Sequence, residues 1–169
     1  MQTYRATPAP MPLLSLVEGR LVAIDATTGH LRWERPVREP LDRVLVAGGN
    51  VFLATARDPA GHVALFDLAT GSERGGIDLT FRAAAALATA DRVYLSGHHG
   101  LVCLTHEGAL VFRAGREITR KSAWSGDTID LVGMDAQDRE LWRIADAKAH
   151  TTTSFLALGH LIAQIDSDS

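Results

Sequence analysis

The sequence has 169 residues, of which 46% are hydrophobic and 22% are charged, and its formal net charge at pH 7 is −3. This size predicts one domain with a sizeable core, and the absence of a basic run excludes the charge pattern of a nucleic-acid-binding protein. The single cysteine, Cys103, excludes an intrachain disulfide, and no apolar run approaches the roughly 20 residues that span a membrane. We therefore expect a cytoplasmic protein without nucleic-acid or membrane partners.

The first twelve residues are expected to form a flexible arm. Residues 1–12 carry three of the six prolines of the chain, Pro8, Pro10 and Pro12, and proline-rich chain ends are usually extended and poorly ordered. An arm that docks on a neighbouring subunit is the alternative. The remaining residues, 13–169, are predicted to form a single domain.

A strand, a tight turn and a second strand are predicted between Arg20 and Val37. The apolar run before Asp25 favours a strand because it is short and contains β-branched residues. Asp25 can accept hydrogen bonds from the amides that follow it, and Gly29 can close the turn with a positive φ. Trp33 then lies on the apolar face of the second strand. The segment therefore predicts a β-hairpin that ends on an aromatic anchor.

Three weaker copies of this hairpin follow along the chain. The second copy lies 42 residues after the first and has Asp67 and Gly71 in its turn. The third closes its turn at Gly108, 37 residues after Gly71. The fourth closes its turn at Asp138, since aspartate tolerates left-handed geometry better than most residues. The residue four positions past the turn closer is Trp33, Gly75, Phe112 and Trp142 in the four copies.

Further strands are predicted before the hairpins and near the end of the chain. The alanine-rich segment 83–90 is helical by propensity, but we predict a strand there because it occupies the place of the strand at 44–47 one repeat earlier. Segments 153–158 and 161–165 read as the last two strands. The predicted repeat units are about 13–41, 42–82, 83–117, 118–148 and 149–169.

A period of roughly 37 to 42 residues with three or four short strands per unit is typical of β-propeller blades. The first hairpin resembles the repeat of quinoprotein-like, or PQQ-like, β-propellers, with Ala23, Asp25, Gly29 and Trp33 at the matching positions. The resemblance implies an all-β fold in which aromatic side chains pack between blades. A WD-repeat propeller is less favoured, because Gly-His and Trp-Asp pairs do not recur at blade spacing.

The repeat predicts a β-propeller of about four to five four-stranded blades, whereas the resemblance implies seven or eight. Two ways of completing the propeller stay open. Either N- and C-terminal strands close a small ring within one chain, or an open arc is completed by a partner, which includes a second copy of the chain. An arc would leave unpaired sheet edges, which recruit further strands.

Neither a cofactor nor a catalytic residue is predicted. Quinoprotein dehydrogenases, which the chain resembles only in its repeat, hold PQQ against adjacent cysteines in many members. This chain has only Cys103, in an apolar strand where a buried thiol is expected. His98, His99 and His106 are the best candidate metal ligands. Zinc needs three or four converging ligands, however, and a solvated turn fits these histidines better, so no metal site is predicted.

Four residues are candidate partner contacts because each is predicted in or beside a turn. An exposed aromatic or histidine side chain in such a place can contact a protein partner, although packing between blades is the simpler interpretation of the tryptophan. The candidates are Trp124, His98, His99 and His160.

Together these features predict a non-enzymatic β-propeller scaffold that mediates protein–protein interaction within a larger assembly, with a protein partner or as a homo-oligomer. One alternative is a ligand- or metal-binding sensor that uses the turn histidines on one propeller face. A second alternative is an enzyme, hydrolytic or redox, that works on the propeller axis.

Overall fold

The computed structural model describes residues 11–37, 40–57, 60–97, 100–120, 128–148, 153–158 and 161–166. Their regular structure is entirely β, which confirms the predicted class, and no helix in this part of the chain could span a membrane. The strands are β1 (Leu13–Val17), β2 (Arg20–Ile24), β3 (Leu31–Pro36), β4 (Leu41–Ala47), β5 (Asn50–Arg57), β6 (Ala60–Asp67), β7 (Glu73–Leu79), β8 (Ala85–Ala88), β9 (Arg92–Gly97), β10 (Gly100–Thr105), β11 (Leu110–Arg120), β12 (Thr128–Asp135), β13 (Glu140–Lys148), β14 (Thr153–Leu158) and β15 (Leu161–Asp166).

The strands form four antiparallel sheets in which sequence neighbours are also spatial neighbours. The first sheet contains β1–β3, the second β4–β7, the third β8–β13 and the fourth β14–β15. The alanine-rich segment forms the strand β8, as predicted. Its side chains are small enough to pack against the second sheet, and this tertiary contact outweighs helix propensity.

The four hairpins share one backbone geometry. Each turn closes on a residue with positive φ, as predicted: Gly29 (74°), Gly71 (66°), Gly108 (84°) and Asp138 (61°). Each hairpin then has a β-bulge at the second residue of its returning strand, which shifts the register by one residue. The bulged residues are Arg32, Arg74, Val111 and Leu141.

The residue after each bulge faces a cross-strand partner of contrasting size. The four pairs are Ala23–Trp33, Leu65–Gly75, Cys103–Phe112 and Gly133–Trp142. The large residue is aromatic in three pairs and belongs to the returning strand. In the second pair the order is reversed, because a leucine faces a glycine.

Sheets one to three stack face to face through their apolar side chains. Leu21, Ala23 and Trp33 of the first sheet meet Val51 and Phe66 of the second. The other face of the second sheet packs on the third through a larger cluster of buried residues: Ala47, Phe52, Ala54, Val63, Leu65, Leu79, Phe81, Ala83, Val93, Leu95, Val102 and Leu104. The second sheet therefore has apolar side chains on both faces, as the propeller prediction requires.

The third sheet is larger than the predicted four strands. β11 is eleven residues long, and it pairs with β10 along one edge and with β12 along the other. The fourth hairpin, β12–β13, thereby extends the third sheet, since the free edge of a long strand offers unpaired amides and carbonyls to the next strand. Of the four described sheets, only the second has four strands. The number of blades and the closing of a ring stay predictions.

Candidate functional site

Each hairpin turn begins with a side chain that accepts hydrogen bonds from the backbone. The Oδ1 atom of Asp25 accepts from the amides of Thr27 and Thr28 at 2.9 and 3.0 Å. The corresponding acceptors in the later turns are Asp67, Thr105 and Asp135. These bonds fix the turn locally, so the repeated aspartate is a structural residue.

The bulge of the first two hairpins adds an ion pair to this turn. Arg32 donates through Nε to Asp25 Oδ2 at 3.1 Å, and Arg74 pairs through Nη2 with Asp67 Oδ2. The hydrogen bond from Arg32, followed by the Thr28 and Thr27 amides, lowers the pKa of Asp25 well below its ordinary value. The pKa of Asp67 is also lowered, first by the Thr70 amide and then by Arg74.

Trp33 connects the first sheet to the second. Its side chain is buried, and its Nε1 donates to the carbonyl oxygen of Leu68 at 2.9 Å. The ring covers Gly71, because a Cβ atom on this glycine would lie only 2.5 Å from Trp33 Cδ2. Arg35 donates through Nε to the Gly71 carbonyl at 2.6 Å. The predicted role of Trp33 as an aromatic wedge between repeats is confirmed.

Within the part of the chain that the structure describes, the equivalent place between the second and third sheets has no aromatic wedge. Gly75 occupies the position of Trp33, and Leu65 occupies the position of Ala23. The end of Leu65 reaches the turn of the third sheet, where a Cβ atom on Gly108 would lie 2.8 Å from Leu65 Cδ2. A leucine at this place fills only part of the space that an indole ring fills in the first interface.

A cleft of about 280 Å³ therefore opens between the second and third sheets. Its walls include Gly75 and Gly108, with Arg74 and Glu107 as its charged lining residues. The remaining lining residues are Phe52, Val63, Leu65, Gly76, Ile77, Leu104 and Ala109.

A second cleft, of about 310 Å³, adjoins the first along β7. The two share Ile77 as a lining residue. The second cleft carries the polar side chains Asp78, Thr80 and Arg113 among mostly apolar neighbours. We call the two clefts together the β7 groove.

The buried polar contact nearest to this interface comes from Asn50. Its Nδ2 donates to the carbonyl of His106 at 2.8 Å, and the histidine ring reaches the carbonyl of Thr89 at 3.2 Å. His106 thus takes part in joining the second and third sheets, and its ring fits against Gly48, whose Cβ would lie 2.4 Å from the histidine Cβ.

The first sheet has an apolar row on the face that points away from the second sheet. Leu13, Ile24 and Leu31 lie opposite one another across β1, β2 and β3. Leu13 is 61% exposed and Leu31 is 58% exposed. Val17 is half exposed on the same face of β1, which is an edge strand in the described sheet. We call this set the outer face of the first sheet.

The structure does not place the predicted partner contacts. Trp124, His98, His99 and His160 lie outside the described residues, so their role as contacts stays a prediction. Cys103 is a buried thiol, as expected, and burial raises its pKa. Across the part of the chain that the structure describes, His, Cys, Asp and Glu side chains form no group of three or more that could hold a metal ion.

Two surface features were not predicted from the sequence. The sequence shows that Gly75 occupies the tryptophan position of the repeat. The open cleft that results from it depends on how two sheets stack. The outer face of the first sheet was detectable only as ordinary strand alternation, because exposure of one sheet face is a tertiary property.

The sequence matches no protein-family model and no curated protein. Among solved structures, the fold is similar to a europium-containing methanol dehydrogenase, with a TM-score of 0.50 and 16% identity over 66% of this chain and 24% of that one. It is also similar to Kuenenia stuttgartiensis hydrazine synthase, with a TM-score of 0.47 and 14% identity over 85% of this chain and 51% of that one. The chain thus spans about a quarter of the first protein and half of the second.

The likeness to the methanol dehydrogenase concerns the fold alone, because the identity is low. It supports the propeller-like all-β fold that the hairpin repeat predicts. The chemistry of the two similar proteins does not transfer to this chain by this route.

Proposed function

We propose that this chain is a non-enzymatic β-propeller module that mediates protein–protein interaction, and that the outer face of its first sheet is the docking surface. The observation that carries the proposal is the row of Leu13, Ile24 and Leu31 across three strands. The side chains of Leu13 and Leu31 are each more than half exposed. Exposed apolar side chains that adjoin on one face mark interaction sites more often than isolated ones do.

The stacking of the other sheets supports the same proposal. Among the described residues, the second sheet is covered on both faces by its neighbours, whereas the first is covered on one. A partner that supplies an apolar surface would give the first sheet the environment that the second already has. The structurally similar proteins carry enzyme names, but they support the fold and not an activity.

The test is a double substitution on the outer face, Leu13→Asp with Leu31→Asp. Light scattering would measure whether the full chain is larger than its 18.2 kDa, and affinity purification from the source organism would identify a stoichiometric partner. We expect the double variant to lose the complex, because two carboxylates would be buried without partners. Leu141→Asp, at a leucine that is 55% exposed on β13, is the matched control and should keep it.

Two results would argue against the proposal. One is a complex that survives the double substitution unchanged. The other is a complex that Leu141→Asp disrupts as strongly, since that would point to general loss of solubility and not to the outer face.

A further inference from the structure

We propose that the cleft lined by Gly75 and Gly108 binds a planar aromatic side chain of the indole type that a protein partner presents. This site is separate from the outer face of the first sheet, and it does not rest on the function proposed above.

The first argument is the equivalence of the two interfaces. In the first, the ring of Trp33 lies over Gly71 of the next sheet and faces Ala23 across the hairpin. In the second, Gly75 and Gly108 hold the positions of Trp33 and Gly71. The same bulge precedes both positions. The cleft is therefore the counterpart of a place that the indole ring of Trp33 fills in the first interface.

The second argument is that the backbone of β7 disfavours a wedge from β7 itself. Gly75 has a φ of 134°, which L-residues rarely adopt, so a tryptophan at this position would be strained. Its neighbour Gly76 lies too close to β6, since a Cβ atom there would be 2.6 Å from the Val63 carbonyl oxygen. Because neither glycine can be replaced without strain, the cleft is fixed by the conformation of β7.

The third argument is the chemistry of the lining. Phe52, Val63 and Leu104 are apolar residues that line the cleft. Two glycines leave flat backbone walls, which favour a planar group. At the position of Arg35, which donates to the carbonyl of Gly71, the second sheet has Ile77, which has no donor.

The volume of the cleft is sufficient for a single side chain. Pockets for drug-sized ligands usually measure about 300–1,000 Å³, and this cleft measures about 280 Å³. Arg74 and Glu107 among its lining residues can contact the backbone or the polar neighbours of an incoming aromatic residue. The adjoining second cleft continues along β7. It can contact the partner residues that lie on one side of the aromatic residue.

The experiment is a titration of the full chain with two probes, indole and N-acetyl-tryptophanamide, followed through the backbone amide signals of Gly75, Gly76 and Gly108 by NMR. We expect saturable shifts of these three signals with both probes. A dissociation constant on the order of 1 mM is ordinary for a probe of this size.

Two exposed positions offer a matched pair of variants. Ala109 follows Gly108 and lines the cleft, and Ser72 follows Gly71 at the equivalent place in the second sheet. Ala109→Trp should weaken indole binding by at least about tenfold, because its own ring occupies the cleft. Ser72→Trp adds the same side chain elsewhere and should leave the dissociation constant unchanged.

Three outcomes would overturn the proposal. The first is an absence of saturable shifts in the unmodified chain. The second is equal binding by Ala109→Trp and the unmodified chain. The third is binding of indole without binding of N-acetyl-tryptophanamide, which would show a site for a free planar molecule and not for a side chain. If no partner bound the outer face of the first sheet, these three binding measurements would still test the cleft.

Discussion

The interfaces on the two sides of the second sheet use the same turn and the same bulge but different side chains. On one side, Trp33 fills the space above Gly71 and makes a hydrogen bond to the neighbouring sheet. On the other side, Leu65 reaches Gly108 and leaves a cleft beside it. A repeat can therefore keep its hairpin geometry while one interface becomes a packed core and the other an open groove.

The difference shows which parts of the repeat are structural. Positive φ at the turn closer and the bulge after the turn persist in all four hairpins. The aromatic residue does not, because neither the turn nor the bulge requires it. At Gly75 the backbone itself disfavours a larger residue, since its φ is 134°, and such a position is one at which this fold can gain a binding site.

The largest effect is expected from removing the wedge of the packed interface. Trp33→Ala should destabilise the protein by about 3–5 kcal/mol, because it removes a buried ring and leaves a cavity next to Gly71. Urea unfolding, followed by circular dichroism, measures this loss. Leu31→Ala is the control on the same strand, since its side chain is more than half exposed.

A small effect of Trp33→Ala would contradict the assignment of this residue as the main contact between the first two sheets. A change in the slope of the unfolding curve would instead indicate that the first sheet unfolds separately from the second.

The features of the fold that depend on neighbouring residues were predictable from the sequence. Asp25 and Gly29 specify their turn through hydrogen bonds and positive φ within five residues. The strand character of β8 followed from its place in the repeat, although its alanines alone favour a helix. The burial of Trp33 between two sheets followed from the same periodicity.

The features that depend on distant pairing were not predictable in the same way. β12 joins the edge of β11 and enlarges the third sheet, although the repeat alone predicted a new blade. The pairing of Arg32 with Asp25 depends on the bulge that brings a residue of β3 back over the turn. Neither the bulge nor the sheet edge leaves a clear pattern of polar and apolar residues.

The next largest effect is expected from substitutions of the glycines that close the hairpin turns, because two of these glycines contact a side chain of the preceding sheet. Gly71→Ala, Gly108→Ala and Gly29→Ala carry nearly the same backbone cost, because all three glycines have φ between 66° and 84°. Their surroundings differ: the new Cβ would meet the rigid ring of Trp33, the flexible end of Leu65, and nothing within 4 Å, respectively.

We expect losses in unfolding free energy of about 3 kcal/mol for Gly71→Ala, about 1.5 kcal/mol for Gly108→Ala and about 1 kcal/mol for Gly29→Ala. Denaturant midpoints of the three variants measure this order. Equal losses at all three glycines would show that only backbone strain matters and that the two interfaces do not differ in rigidity.

The smallest expected effect concerns pH and the aspartates of the turns. Hydrogen bonds from Arg32 and two backbone amides hold the pKa of Asp25 below its ordinary value in the folded state. A carboxyl group with a lowered folded pKa stabilises the protein above the unfolded value, near 4, and this contribution is lost as the pH falls below it. The unfolding midpoint should therefore decrease from about pH 5 downwards.

Asp25→Asn should lower the midpoint at pH 7 and flatten its decrease on acidification, because asparagine cannot titrate. Arg32→Gln should flatten the decrease as well, since it removes the largest cause of the lowered pKa while leaving the two amide hydrogen bonds in place. If the pH profile of Arg32→Gln ran parallel to that of the unmodified chain while that of Asp25→Asn did not, the ion pair at the first bulge would contribute nothing to the folded state. The turn would then depend on its backbone hydrogen bonds alone, as the third turn does with Thr105.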